Sequence, residues 1–200
     1  MNPARSLPAS YFDALYQTDP DPWKFATSEY EAEKYAATIA ALPQPRYRSA
    51  LEIGGSIGVL TAKLAQCCDA VLSIDVSQLA QSQAIDRCRD LPQVSFEIMS
   101  FPQAYPTAKF DLIVVSEVGY YWCLEDLQIA QQRIFDLLEP SGHLLLVHWL
   151  PRSPDYPLTG DEVHDSFLKF VPVPLQHLQG QSNSKYRLDL FERSIPKLFG

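Results

Sequence analysis

Two hydrophobic periods alternate along this chain, one belonging to helices and one to strands. Tyr35, Ile39 and Leu42 stand at i, i+4 and i+7, which predicts a helix with one apolar stripe, broken by Pro43 and Pro45. From Ser49 onward short apolar runs and helical stripes succeed one another. Ala50-Leu51-Glu52-Ile53 reads as a first strand, and Leu60, Leu64 and Cys67 stripe the helix behind it. Ala70 to Val76 is a second strand, Ala84, Cys88 and Leu91 mark a second helix, and Val94 to Met99 a third strand. The run Phe110 to Val115 has the composition of a strand buried on both faces of a parallel sheet. Leu127, Ala130, Ile134 and Leu137 stripe the next helix, which Pro140-Ser141-Gly142 should end, and Leu144 to Val147 makes a fifth strand. Thr159 and Glu162 have capping-box spacing, so a helix is expected from there through Phe167. Tyr186, Leu188 and Leu190 alternate with Arg187, Asp189 and Phe191 as in a final strand. This rhythm predicts an α/β fold with a doubly wound, mostly parallel sheet.

The 200 residues, 46% of them apolar, suit one globular domain in which residues 1–45 pack as a helical segment on a core of residues 46–200. A net charge of -8, with basic residues scattered, argues against a nucleic-acid partner and favours a neutral or cationic one. No apolar run is long enough to span a bilayer, and Met1 to Tyr11 does not read as a signal peptide. Cys67, Cys68, Cys88 and Cys123 show no metal-ligand spacing and read as free thiols of a reducing cytoplasm. No metal site is expected.

The first strand runs into Gly54-Gly55-Ser56-Ile57-Gly58, and in open α/β sheets ligands gather at the carboxyl ends of strands. Gly54 and Gly58 flank a tight turn that lets a ligand approach the backbone. The pattern Glu52-x-Gly54-x-Ser56-x-Gly58 differs from the spacing that cradles a dinucleotide pyrophosphate, and Glu52 places a carboxylate where a cationic ligand would be favoured. Asp75 closes the second strand, 23 positions after Glu52, where an acid can accept ribose hydroxyls. Loop and acid together point to an adenosine-containing ligand without phosphate.

On these features the sequence resembles the class I S-adenosylmethionine (SAM)-dependent methyltransferases. More narrowly, it is similar to the nodulation protein S-like family. The matching stretches are Asp-Pro-Trp-Lys-Phe (21–25), Tyr-Glu-Ala-Glu-Lys-Tyr (30–35), Phe-Asp-Leu-Ile-Val-Val-Ser-Glu-Val-Gly-Tyr-Tyr (110–121) and Asp-Tyr-Pro-Leu-Thr-Gly-Asp-Glu-Val-His-Asp (155–165). The resemblance implies a Rossmann-like seven-stranded sheet and an N-terminal lid carrying Trp23, with Tyr11, Phe12 and Tyr16. It implies SAM as cofactor, S-adenosylhomocysteine (SAH) as product, and the amine of an amino-sugar oligosaccharide as acceptor. The cofactor site would comprise Trp23, Glu52, Gly54, Gly55, Ser56, Gly58, Asp75, Val76, Ser100, Phe101 and Ser116. Ser56 stands where the family has the loop's middle glycine, and Ser100 where it usually has an acid.

Transfer of a methyl group to an amine needs an aligned donor and acceptor, exclusion of water and removal of a proton. Glu117, after the fourth strand, is the candidate to orient or deprotonate the acceptor, with Tyr120 and Tyr121 as a wall. His148 and His164 are alternative bases; His143 and His177 are weaker ones. Three rival readings share these residues: O-methylation of a small molecule, SAM binding without turnover, and a hydrolase with Ser56 in a Gly-x-Ser-x-Gly elbow followed by Asp161 and His164. The elbow lacks its usual context, since no strand is evident before Ala50. An NAD-dependent oxidoreductase would need different glycine spacing.

Overall fold

In a computed structural model, residues 5–171 and 173–195 are described. They fall into two compact units, one spanning Leu7–Tyr105 and the other beginning at Pro106 and including Ser6.

The first unit opens with two helices, α1 (Ala9–Thr18) and α2 (Glu29–Ala40), where the sequence pattern predicts one. Ser28 caps α2 through its side chain, and Glu29 and Glu31 complement the helix's positive end. The buried face of α2 is not the expected Tyr35–Ile39–Leu42 stripe. It is Glu31, Lys34, Tyr35 and Thr38, with Lys34 only 1% exposed. The ammonium of Lys34 lies 3.0 Å from Glu31 Oε1 and over the rings of Tyr30 and Tyr35, so the buried charge is paired. Strands β1 (Ala50–Ile53), β2 (Val71–Asp75) and β3 (Val94–Ile98) pair in parallel, in the order β3-β2-β1. Helices α3 (Val59–Leu64) and α4 (Gln78–Arg87) connect them. Gly58 sets the packing of these two helices, because a Cβ there would lie 2.9 Å from Ala84 Cα.

The second unit holds β4 (Phe110–Ser116), α5 (Leu124–Leu137), β5 (Leu138–Trp149), α6 (Gly160–Leu168), β6 (Leu175–Ser182) and β7 (Tyr186–Arg193). Its strand order is β4-β5-β7-β6, with β4 and β5 parallel and β7 antiparallel to both neighbours. The expected stripe of α5 is buried in full, from Leu127 through Ala130 and Ile134 to Leu137. Pro140-Ser141-Gly142 does not simply end that helix. Leu138 already pairs with Phe110, and the breaker residues form an excursion inside β5, with Ser141 at φ 59° before Leu112 pairs with His143. The capping box of α6 is present: Thr159 accepts from Glu162 N–H and Glu162 accepts from Thr159 N–H. Strand β6 has little apolar patterning, being exposed beyond Leu175 and His177, and the sequence did not mark it.

Candidate functional site

The loop between β1 and α3 is pinned to the end of β2. Gly54 and Gly55 N–H both donate to Ile74 O (2.9 and 3.1 Å), and Gly58 N–H closes back on Gly55 O at 2.9 Å. Gly54, Ser56 and Gly58 all take positive φ (87°, 49° and 79°). Two glycines accept that geometry without cost, whereas a serine there carries about 1–2 kcal/mol of strain. Ser56 is held by both its polar groups. Its N–H donates to Asp75 Oδ2 at 2.8 Å and its hydroxyl meets the Tyr16 hydroxyl at 2.5 Å. Burial and the nearby Asp75 charge push the Tyr16 pKa up, so its hydroxyl stays protonated.

Asp75 also accepts from Ser77 N–H at 2.8 Å, so the two carboxylate oxygens are oriented by two backbone amides. Burial raises its pKa, and those amides oppose the shift. Beside it Val76 is half-buried, Ser100 is exposed and Phe101 is buried; Met99 N–H bonds Asp75 O at 2.9 Å. Trp23 stacks on Phe25 (centroids 5.5 Å) and meets the edge of Tyr16 at 5.7 Å. With Phe12 they pack against Ile57 of the loop and Ala80.

Glu52 lies beneath this loop. It is 1% exposed and accepts from Ser73 Oγ at 2.8 Å and from the Thr61 hydroxyl. Such burial leaves it little surface for a ligand, so any effect on one passes through the loop. Desolvation raises its pKa to about 7 against the hydrogen bonds of Thr61 and Ser73. Gly55 must lack a side chain here, since a Cβ would stand 1.9 Å from Ser73 Oγ and 3.2 Å from Glu52 Oε2.

A second polar cluster gathers in the unit that starts at Pro106. Ser116 is buried at the end of β4, and Glu117 follows at φ 56° with its N–H on Val147 O (2.9 Å). Its Oε2 accepts the Tyr120 hydroxyl at 2.5 Å and Trp149 N–H at 2.9 Å. A bulky non-glycine residue held in the left-handed region is strain that its surroundings must enforce. Tyr120 stacks flat on Tyr156 (5.2 Å, 6°), and Tyr121 meets both edge-on at 4.7 and 4.8 Å. Burial, then the Glu117 charge, lifts the Tyr120 pKa well above its ordinary value. Tyr120 and Tyr121 thus belong to a packed three-ring wall that includes Tyr156, which the sequence reading missed.

His148 and His164 are buried and bonded to each other, Nδ1 to Nε2 at 3.0 Å. His148 Nε2 accepts Gly119 N–H (3.0 Å), and His164 Nδ1 meets Asp189 Oδ2 (2.6 Å). The rival hydrolase reading loses its parts here, because His164 is engaged at both nitrogens and the Ser56 hydroxyl is paired with Tyr16. His177 also reaches Asp189, at 2.7 Å, while His143 faces Glu192 at 3.7 Å. Asp189 carries no sequence signal beyond being an acid amid apolar neighbours. Its alternation with Leu188 and Leu190 marked a strand and no more, and it is 2% exposed. Among the described residues, no group of three or more His, Cys, Asp or Glu could hold a metal, and no helix is long and apolar enough to cross a membrane.

The fold is that of the Rossmann-like class I methyltransferases, a mixed seven-stranded sheet with flanking helices. The crystal structure of the N-methyltransferase NodS from Bradyrhizobium japonicum WM9 in complex with SAH matches with a TM-score of 0.80 and 25% identity, over 90% of this chain and 99% of that one. The family model of nodulation protein S (NodS) matches residues 15–150, and the chain belongs to this family. Nodulation protein S of Sinorhizobium fredii is 33% identical over 129 residues, which covers 62% of this chain and 59% of that protein. The Rhizobium tropici protein of the same name is 32% identical over 127 residues, 62% of this chain and 53% of that one. The alignments therefore span little more than half the length of these two relatives.

Proposed function

We propose that this protein is a SAM-dependent N-methyltransferase acting on the amine of a small molecule or amino-sugar oligosaccharide. The observation that carries the reading is the loop Gly54–Gly58 drawn onto Asp75 by the Ser56 amide, in a chain whose B. japonicum relative is an N-methyltransferase solved with SAH. The residues fit such a cofactor. Asp75 is half-buried and oriented by two amides, which suits it to the ribose hydroxyls, and Gly54, Gly55 and Ser56 offer close backbone to an amino-acid tail. Val76, Ser100 and Phe101 would flank the adenine, with Gly58 and Trp23 completing the assignment. Bound there, SAM would supply a methyl group on a positively charged sulfur.

The chain's own part is alignment and proton removal. Glu117, fixed by Tyr120 and Trp149, would take the proton that an ammonium acceptor must lose. Tyr120 remains a hydroxyl at neutral pH and steadies that carboxylate. The half-buried Tyr156, with Tyr120 and Tyr121 packed against it, offers a ring and hydroxyl suited to a cationic or sugar acceptor. Four free cysteines among the described residues suit a reducing cytoplasm. Calorimetry with SAM and SAH tests the cofactor. Transfer of labelled methyl to amino sugars, deacetylated chito-oligosaccharides and small amines, against a denatured control, tests the reaction. Absence of heat with both nucleosides would sink the reading, and methylation of hydroxyls alone would redirect it to O-transfer.

A further inference from the structure

Three elements, β5, α6 and β7, contribute to one run of buried hydrogen bonds: Gly119 N–H to His148 Nε2, His148 Nδ1 to His164 Nε2, and His164 Nδ1 to Asp189 Oδ2. Its direction is set at both ends. A backbone amide only donates, so His148 Nε2 carries no hydrogen. A neutral His148 then holds its hydrogen on Nδ1 and donates to His164 Nε2, and His164 must donate from Nδ1 to Asp189. The acceptor end is crowded with donors, since His177 Nε2 stands 2.7 Å from Asp189 Oδ1 and Arg187 Nε donates to Oδ2 at 2.7 Å. Burial pushes the Asp189 pKa up, but the hydrogen bonds of His164 and His177 and the charge of Arg187 outweigh it and leave the carboxyl below its ordinary value.

At the other end the chain grips the turn that carries the Glu117–Tyr120 pair. Gly119 fits only without a side chain, because a Cβ would lie 2.8 Å from His148 Nε2 and 2.7 Å from Val163 Cγ1. The His148 ring also meets the Tyr120 ring edge-on at 5.5 Å. Two residues before Gly119, Glu117 sits in the left-handed region, a conformation that needs external restraint.

We propose that Asp189, His164 and His148 are positioning residues that present His148 Nε2 as a fixed acceptor for the Gly119 amide, holding Glu117 and Tyr120 in place, and that neither histidine is the base. The proposal deepens the N-methylation reading and rests on it for its kinetic consequence. A lone pair already committed to an amide does not take a proton from a substrate. Holding the turn matters because small displacements of a catalytic group cost large factors in rate.

Two measurements need no acceptor. Nitrogen–proton correlation spectra of the resting protein should show His148 and His164 as neutral rings protonated on Nδ1; an Nε2–H ring at either position overturns the proposal. Hydrogen exchange at Gly119 N–H should be at least about tenfold faster in His148→Leu than in the unsubstituted protein, and slow again in His148→Gln, whose Oε1 can replace Nε2 as acceptor. Unchanged exchange in the leucine variant overturns it too. With a methyl acceptor in hand, kcat should fall about 10- to 100-fold in His148→Leu with SAH affinity within about twofold, and the glutamine variant should recover most of that loss. Equal losses in the two variants would return His148 to the role of base. Failure of the N-methylation reading shows itself differently, as no turnover by the unsubstituted protein, and leaves the tautomers and the Gly119 exchange to decide.

Discussion

Glu117 is the residue on which the proposed proton removal turns. Its backbone is held at φ 56° and its Oε2 takes two donors, a hydroxyl and an amide. Glu117→Gln keeps the size and an acceptor oxygen but removes the charge and the proton acceptor. Turnover should drop by about 10²- to 10³-fold while SAH affinity, measured by calorimetry, stays within about twofold. Equal loss of both would take the role away from Glu117. Glu52 makes a contrasting case, a carboxyl spent on architecture. Its pKa rises from 4.5 to about 7 because burial disfavours the charged form. For an acid raised on folding, the stabilising contribution is complete below the unfolded value and disappears as pH climbs to the folded one. Between about pH 4.5 and 7 this single group should therefore remove about 3 kcal/mol of stability. Urea unfolding across that range should show the slope, and Glu52→Gln should flatten it.

Helix α6 shows how a local sequence rule supports a distant geometry. Its capping box fixes where the helix starts, and the start fixes the turn on which His164 meets both His148 and Asp189. Thr159→Ala removes the hydroxyl that accepts Glu162 N–H and should cost about 1 kcal/mol. Thermal unfolding should register this as a fall of roughly 2–4 °C. Helix α2 and strand β7 mark the opposite situation. Glu31, Lys34 and Asp189 are charged residues outside the apolar stripes, yet each is buried with a partner. Periodicity places apolar stripes correctly on α5, where only apolar burial is at stake. It does not register a buried charge, whether the partner is three residues away, as for Lys34 and Glu31, or 25, as for Asp189 and His164, because a hydrophobic period does not mark ion pairs.

Ligand binding links the local sites to the stability of the whole chain. A molecule that binds only the folded state at a hundredfold excess over its Kd adds about 2.7 kcal/mol. For a protein of this length, saturating SAH should thus raise the melting temperature by roughly 5–10 °C. Asp75→Ala should abolish the increment whatever it does to the unliganded protein, because the difference between liganded and free forms is what reports on binding. A full increment in that variant would remove Asp75 from the cofactor site. The negative net charge of the chain has no such specific consequence; it disfavours polyanionic partners as a class.

The sequence by itself determined the α/β alternation, the glycine loop, the acid at the end of β2 and the capping box of α6. Each of these rests on near neighbours: a period, a turn conformation, a spacing of three residues. Residues such as Glu117, Tyr120 and His148 were legible as candidates because they stand at or just past strand ends, where an open sheet gathers its ligands. Only the tertiary structure decided what each one touches. It buried Glu52 beneath the loop, paired Ser56 with Tyr16, and ran His148 through His164 to Asp189 across three elements. Hydrogen bonds between residues 16 to 40 positions apart have no period, so only folding could select them.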